Sequence, residues 1–164
     1  MKTMLYIAYG SNLHKGQMLR RCPNAVAIGA TTIPNTRLVF RGVADIEDFV
    51  GASCPVGVWH ITEECERALD IYEGVKNSLY RKEYLPLKVK RAGVETIEQG
   101  LVYVMNANYY GEPSQFYYDT IKIGYKDFGL NERDLKAALK GTRDLLKTER
   151  ETFKAVRRGD IEIM

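Results

Sequence analysis

A chain of 164 residues with 24 Lys and Arg against 21 Asp and Glu, a net charge of +3, is expected to form one domain, 1–164, with a core of its own. Its 45% hydrophobic and 27% charged residues are those of a globular protein, and no apolar run approaches the roughly 20 residues of a membrane helix. The charge excess is small and is interleaved with acids, as in KTERETFKAVRRGD, which reads as a solvated helix face rather than a nucleic-acid surface.

The N-terminal MKTMLYIAYG has one Lys and too short an apolar stretch for a secretory signal, and reads as a first strand, MLYIAY. That strand stops at Gly10-Ser11-Asn12, either as an ordinary turn, in which Gly tolerates positive φ, or as a loop whose backbone N–H groups hold an anion. Further strands are expected at AVAIGATTI, TRLVFRG, PVGVWHI, YRKEYLPLKVK and QGLVYVM. Among them TEECERALDIY reads as a helix capped by Thr62, with Cys65, Ala68, Leu69 and Tyr72 on one face and a stop at Glu73-Gly74. In the last third, Ser114 caps a helix carrying Tyr117, Ile121 and Gly124 on one side. Asn131 opens a longer one with Leu135, Ala138, Leu139, Thr142, Leu145 and Leu146 facing inward. Strands followed by helices indicate α+β, and the short strands are expected to curl into a small mixed β-barrel flanked by helices, with a helical C-terminal third.

Cys22, Cys54 and Cys65 are far apart, without a C-x-x-C pair, and only His14 and His60 are present. A disulfide framework or zinc site is not expected, and a reducing, cytoplasmic setting follows. The loop is neither a Walker loop, lacking G-K-[ST], nor a dinucleotide fingerprint, and Ser11 is not in a G-x-S-x-G elbow. Proton transfer therefore falls to carboxylates or tyrosines. Glu73 stands out, because an acid at a helix C-terminus meets the negative end of the dipole, which raises its pKa toward neutrality. An exposed turn glutamate is the alternative, and Tyr72 reads as core or barrel rim.

YIAYGSNL, LDIYEGV with LYRKEY, and PSQFYYDTIKIGYKDFGL occur in this order, with RCPNAVAIG and VGVWHIT between them. From about Met4 to about Leu139 the chain resembles the γ-glutamylcyclotransferase-like family; RDLLKTERETFKAVRRGDIEIM carries no such signal. The resemblance implies cyclisation of a γ-glutamyl group, with release of 5-oxoproline and an amine and no cofactor. It implies a substrate-binding loop of Tyr9, Gly10, Ser11, Asn12 and Leu13, Glu73 as catalytic acid/base, and Tyr80 and Tyr117 as pocket tyrosines, with Tyr118 a one-residue alternative to Tyr117. The expected partner is a small γ-glutamyl substrate, with neither nucleic acid nor membrane, and a homodimer stays open. A non-catalytic protein that sequesters a small ligand on the same fold is the second reading.

Overall fold

The computed structural model describes residues 2–161. Five strands form one sheet in the order β2-β3-β1-β5-β4, where β1 is Thr3–Ala8, β2 Val26–Arg41, β3 Val43–Thr62, β4 Tyr80–Arg91 and β5 Val94–Met105. Every ladder is antiparallel except β1 with β5. Four helices accompany the sheet: α1 Lys15–Arg21, α2 Glu63–Tyr72, α3 Gln115–Asp127 and α4 Glu132–Arg158. The α+β class expected from the strands-then-helices order is what forms.

The expected mixed sheet flanked by helices forms, and it is not closed. Among the described residues β2 and β4 are the two edges of an open sheet. Two long hairpins replace the row of short strands. AVAIGATTI and TRLVFRG are halves of one strand, β2, with irregularities between Ala27 and Gly29 and between Pro34 and Thr36. Pro34, which cannot donate to a ladder, lies on an edge strand, and between the Pro34–Ser53 and Thr36–Asp48 pairs Asn35, at φ 52°, stands against residues 49–52 of β3, where the extra residues lie. The second hairpin reverses at Ala92-Gly93, both with positive φ (51° and 80°), the conformation a two-residue turn needs to match strand twist.

The central strand explains the opening of the sequence. β1 is flanked on both edges, and Leu5, Tyr6, Ile7 and Ala8 are all buried, so an unbroken apolar run suits it better than alternation. Where β1 ends, Tyr9 and Gly10 lead into a 3-10 turn, Ser11–Leu13, closed by Leu13 N–H to Gly10 O and His14 N–H to Ser11 O, each 3.0 Å.

The three expected helix caps are present: Thr62 accepts from Cys65 N–H, Ser114 from Tyr117 N–H and Asn131 from Arg133 N–H. α1 was not expected. It has seven residues and is capped by His14, whose Nδ1 accepts from Gln17 N–H at 3.0 Å, an unusual capping side chain. Gly124 lets α3 lie directly on the 3-10 turn: a Cβ there would sit 2.5 Å from Leu13 Cβ and 2.7 Å from His14 N. A mid-helix Gly costs about 1 kcal/mol of helix propensity, and here that cost is offset by the close approach it allows. On α4, Leu135 and Thr142 are buried, and Thr142 Oγ accepts from Phe40 N–H at 3.0 Å.

The cysteines require a correction. Cys22, at the end of α1, and Cys65, in the first turn of α2, form a disulfide, and only Cys54 is free. Their sequence separation of 43 gives no hint of this; the fold brings the two helix ends side by side. Closing a loop of that length is expected to stabilise the chain by about 4 kcal/mol in chain-entropy accounting. Protein purified without reductant and then denatured should alkylate at Cys54 alone, and at all three cysteines after reduction. Mass spectrometry showing three labelled thiols without reductant would mean that the pair is open.

Candidate active site

At the end of β1 the 3-10 turn, the C-terminus of α2, the start of β3, and β4, β5 and α3 enclose a cleft of about 240 Å³. Of the residues expected to form a site, Tyr9, Gly10, Ser11, Asn12, Glu73, Tyr80 and Tyr117 all line it. Leu13 does not; it is wholly buried and forms the floor on which α3 packs. Tyr117 rather than Tyr118 faces the cleft. Its hydroxyl accepts from Ala44 N–H at 3.0 Å, whereas Tyr118 packs against Phe40.

Five lining residues carry no separate signal in the sequence: Tyr6, Ile7, Val43, Ala44 and Tyr103. Tyr6 and Tyr103 look like core residues of apolar strands. The clue lies in a count only the fold can make, since six tyrosines (6, 9, 72, 80, 103 and 117) converge on this one cleft. Tyr72, read as core or rim, lines it too, with nearly half its surface exposed.

The tyrosines divide by what their hydroxyls do. Tyr9 Oη donates to Tyr103 O at 2.6 Å, and Tyr103 Oη donates to Asp70 on α2 at 2.7 Å. Those protons are spent on holding the walls. Tyr6 instead accepts from Asn12 Nδ2 and Tyr117 from Ala44 N–H, so their own O–H protons remain to be given to a ligand. Burial pushes the pKa of Tyr6, Tyr9, Tyr80, Tyr103 and Tyr117 above the ordinary tyrosine value, so all five stay protonated donors at neutral pH.

Asn12 is committed to the architecture. Its side-chain oxygen accepts from Arg21 Nη1 at 2.6 Å, one amide proton goes to Tyr6, and its backbone oxygen accepts from Trp59 Nε1 at 3.0 Å. The loop's free donors are therefore backbone. The N–H groups of Ser11 and Asn12 open a 3-10 turn and have no partner within it. Gly10 has φ −124°, so positive φ is not why glycine stands there. A Cβ at Gly10 would lie 3.1 Å from Ala44 Cβ and 3.2 Å from Tyr117 Oη, so the reason is close packing of the loop against β3 and α3.

Glu73 is the C-cap of α2, followed by Gly74 at φ 62°. It is half-buried, and its pKa is raised to about 7. The cause differs from the expected helix dipole: desolvation by burial raises it, and the nearby Arg21 guanidinium opposes the rise. Arg21 lies on Tyr72, 3.5 Å from the ring centroid, while reaching Asn12. One cation thus ties the loop, the end of α2 and the carboxylate together. α2 itself is fixed by Lys82 to Glu66 and Asp70 and by the disulfide to α1.

The model of the family described as gamma-glutamyl cyclotransferase, AIG2-like, matches residues 6–125, a span that contains every residue of this cleft. The chain belongs to that family. A solved structure named gamma-glutamyl cyclotransferase is 24% identical, with TM-score 0.71 over 84% of this chain and 86% of that one. An uncharacterized protein from Homo sapiens, loc79017, is 26% identical, with TM-score 0.70 over 84% and 87%. An aig2-like protein from Mus musculus is 18% identical, with TM-score 0.54 over 66% and 81%. No curated protein sequence matches the chain. The family match ends inside α3, so α4 lies outside it. Among the described residues no helix is long and apolar enough to cross a membrane.

Proposed function

We propose that this protein is a γ-glutamyl cyclotransferase that converts a γ-glutamyl amide into 5-oxoproline and a free amine. One observation carries the reading: Glu73, a carboxylate tuned to about pH 7, shares a tyrosine-walled cleft with the unpartnered N–H groups of the Ser11-Asn12 turn.

The substrate brings its own nucleophile. Its α-amine attacks its γ-carbonyl, the new C–N bond closes a five-membered ring, and the old C–N bond to the leaving amine breaks. Of the three α-ammonium protons the lactam keeps one, and the other two depart on the released amine as ammonium. Glu73 accepts a proton from the α-nitrogen and delivers it to the leaving nitrogen, so one group with a pKa near the working pH serves both steps. The N–H pair of the turn offers a place for the substrate α-carboxylate or for the oxygen that gains charge at the γ-carbon. Tyr6 and Tyr117 supply further O–H donors on fixed walls, which holds the flexible γ-glutamyl chain in its ring-closing shape. A cleft of about 240 Å³ suits the γ-glutamyl group, and Glu73 is the one charged side chain in its lining.

The test is a panel of γ-glutamyl amides with amino acid, peptide and alkylamine leaving groups, read by mass spectrometry for 5-oxoproline. At least one should turn over, at a rate unchanged by EDTA because neither proton step asks for a metal. Tight binding of such compounds with no 5-oxoproline from any of them would favour ligand sequestration instead. Turnover abolished by EDTA and restored by a metal ion would overturn the proposed chemistry.

A further inference from the structure

Arg21, the last residue of α1, is joined to two parts of the cleft that lie on different elements. Its Nη1 donates to Asn12 Oδ1 in the 3-10 turn at 2.6 Å, and its guanidinium lies 3.5 Å from the ring centroid of Tyr72, the last residue of α2. The residue after it, Cys22, is bonded to Cys65 in the first turn of the same α2. We propose that this disulfide is a redox-sensitive brace of the cleft: oxidised, it holds the Arg21 guanidinium on Asn12 and Tyr72; reduced, it releases the end of α1 and loosens the 3-10 turn. The brace acts on the cleft whatever its ligand, and only its effect on KM rests on the cyclotransferase reading.

Each helix is docked on the core without the disulfide. α1 buries Met18 completely, and Lys15 N–H at its start donates to Asp127 at 2.9 Å. α2 buries Leu69 completely and is tied to β4 by Lys82, which pairs with Glu66 and Asp70. Among the described residues, however, no hydrogen bond or ion pair joins a residue of α1 to one of α2. The disulfide and the stacking of Arg21 on Tyr72 are the ties between them. Opening the bond therefore leaves both helices in place on the core and frees their position relative to each other. Because opening a loop of this length also lowers global stability, the informative readout is local and not a melting temperature.

The path from the disulfide into the cleft is short. Asn12 accepts from Arg21 with its side-chain oxygen, gives an amide proton to the Tyr6 hydroxyl, and takes the Trp59 indole N–H on its backbone oxygen at 3.0 Å. Asn12 is only 3% exposed, so loss of the guanidinium leaves a buried oxygen unpaired, which is costly. The amide must turn, at the expense of Tyr6, or the turn must move, and with it the Ser11 and Asn12 N–H groups. The chemistry is ordinary exchange. A dithiol attacks one sulfur, passes through a mixed disulfide and leaves as a cyclic disulfide, delivering two electrons and two protons that appear as the Cys22 and Cys65 thiols. The bond is buried, but Pro23-Asn24 and Glu63-Glu64, next to its two halves, are exposed, so the route for the reagent is one residue deep.

Trp59 is the chain's one tryptophan, so its fluorescence reports this path directly. The full-length protein is compared before and after dithiothreitol, with alkylation and mass spectrometry to confirm that Cys22 and Cys65 have opened. Its emission should shift on reduction and return on reoxidation, and Cys22→Ser combined with Cys65→Ser should hold the reduced spectrum and ignore the reagent. Arg21→Gln decides between a brace and general loosening: it should shift the emission by itself and remove most of the further response to reduction. For a γ-glutamyl amide that turns over, KM should rise about 10-fold on reduction, the scale of one hydrogen bond to a charged group, with kcat changing less. Absence of any turnover would withdraw the cyclotransferase reading and leave the emission result standing. A bond that resists dithiothreitol in the folded protein, unchanged emission after confirmed opening, or an equal response in parent and Arg21→Gln would each overturn the brace.

Discussion

Glu73→Gln is expected to lower 5-oxoproline production by about 10²–10⁴-fold, the usual consequence of losing a general acid–base group. The amide keeps the shape of the carboxyl and can still form hydrogen bonds, so substrate binding should change little and the loss should fall on kcat. The parent's rate should also decline as pH falls through about 7, where the carboxylate needed to take the α-ammonium proton becomes protonated. That acid limb should be missing from the variant's residual activity. Near-parent turnover by folded Glu73→Gln would remove this residue from the mechanism.

The same titration predicts a stability effect of opposite sign. Burial raises the folded-state pKa of Glu73 above the ordinary carboxylate value, so the fold favours the protonated form. Its stabilising share is fully present below the unfolded pKa of about 4.5 and is lost as pH rises through about 7. Glu73→Gln should therefore match the parent's thermal stability below about pH 4.5, exceed it increasingly as pH rises from there to about 7, and keep a constant advantage above that. Arg21 provides a control, because its guanidinium is what holds the carboxyl down. Arg21→Gln should move the acid limb to higher pH, a shift that loss of the Asn12 contact alone would not produce.

Residue types revealed as much of the site as local chemistry allows. Glu73 was visible because a helix with a clear cap and a clear Gly stop places it at an end, and the end was where it formed. Its tuning was read from the wrong cause, since the helix dipole is a property of sequence position whereas the burial that dominates comes from β4, β5 and the loop, all distant in the chain. Tyr6 and Tyr103 were hidden for a related reason: a tyrosine in an apolar strand looks the same whether its hydroxyl meets solvent, a carboxylate or a substrate. The disulfide was hidden in the same way. Joining Cys22 to Cys65 depends on where two helices dock, which leaves no periodic trace. Caps and turns, which act within four residues, were read correctly at Thr62, Ser114 and Asn131.

Gly10→Val is expected to cost about 10²-fold in kcat/KM, the scale of loss that follows a displacement of about 1 Å in a catalytic constellation. The reason is contact rather than backbone conformation. Even a single Cβ at Gly10 would press within 3.1 Å of Ala44 Cβ and 3.2 Å of the Tyr117 hydroxyl. The two added methyls of Val extend that collision in a cleft whose walls are held by hydrogen bonds from both sides. Relief requires the turn to lift away from β3, which carries the Ser11 and Asn12 N–H groups off the substrate, or requires Tyr117 to abandon Ala44. Either way KM should rise along with the fall in kcat, unlike the Glu73 variant. Gly10→Ala should fall between parent and Val, because its contacts are tight but not impossible. Leu13 anchors the turn from below in the core, so both variants should keep a cooperative thermal transition. Tyr117→Phe in the Val background separates the two routes. If the hydroxyl is the obstacle, its removal should restore part of the lost activity; if the loop has moved off β3, it should restore none. Parent-like kinetics from folded Gly10→Val would reduce the loop to an ordinary turn and withdraw the anion-holding role assigned to its backbone.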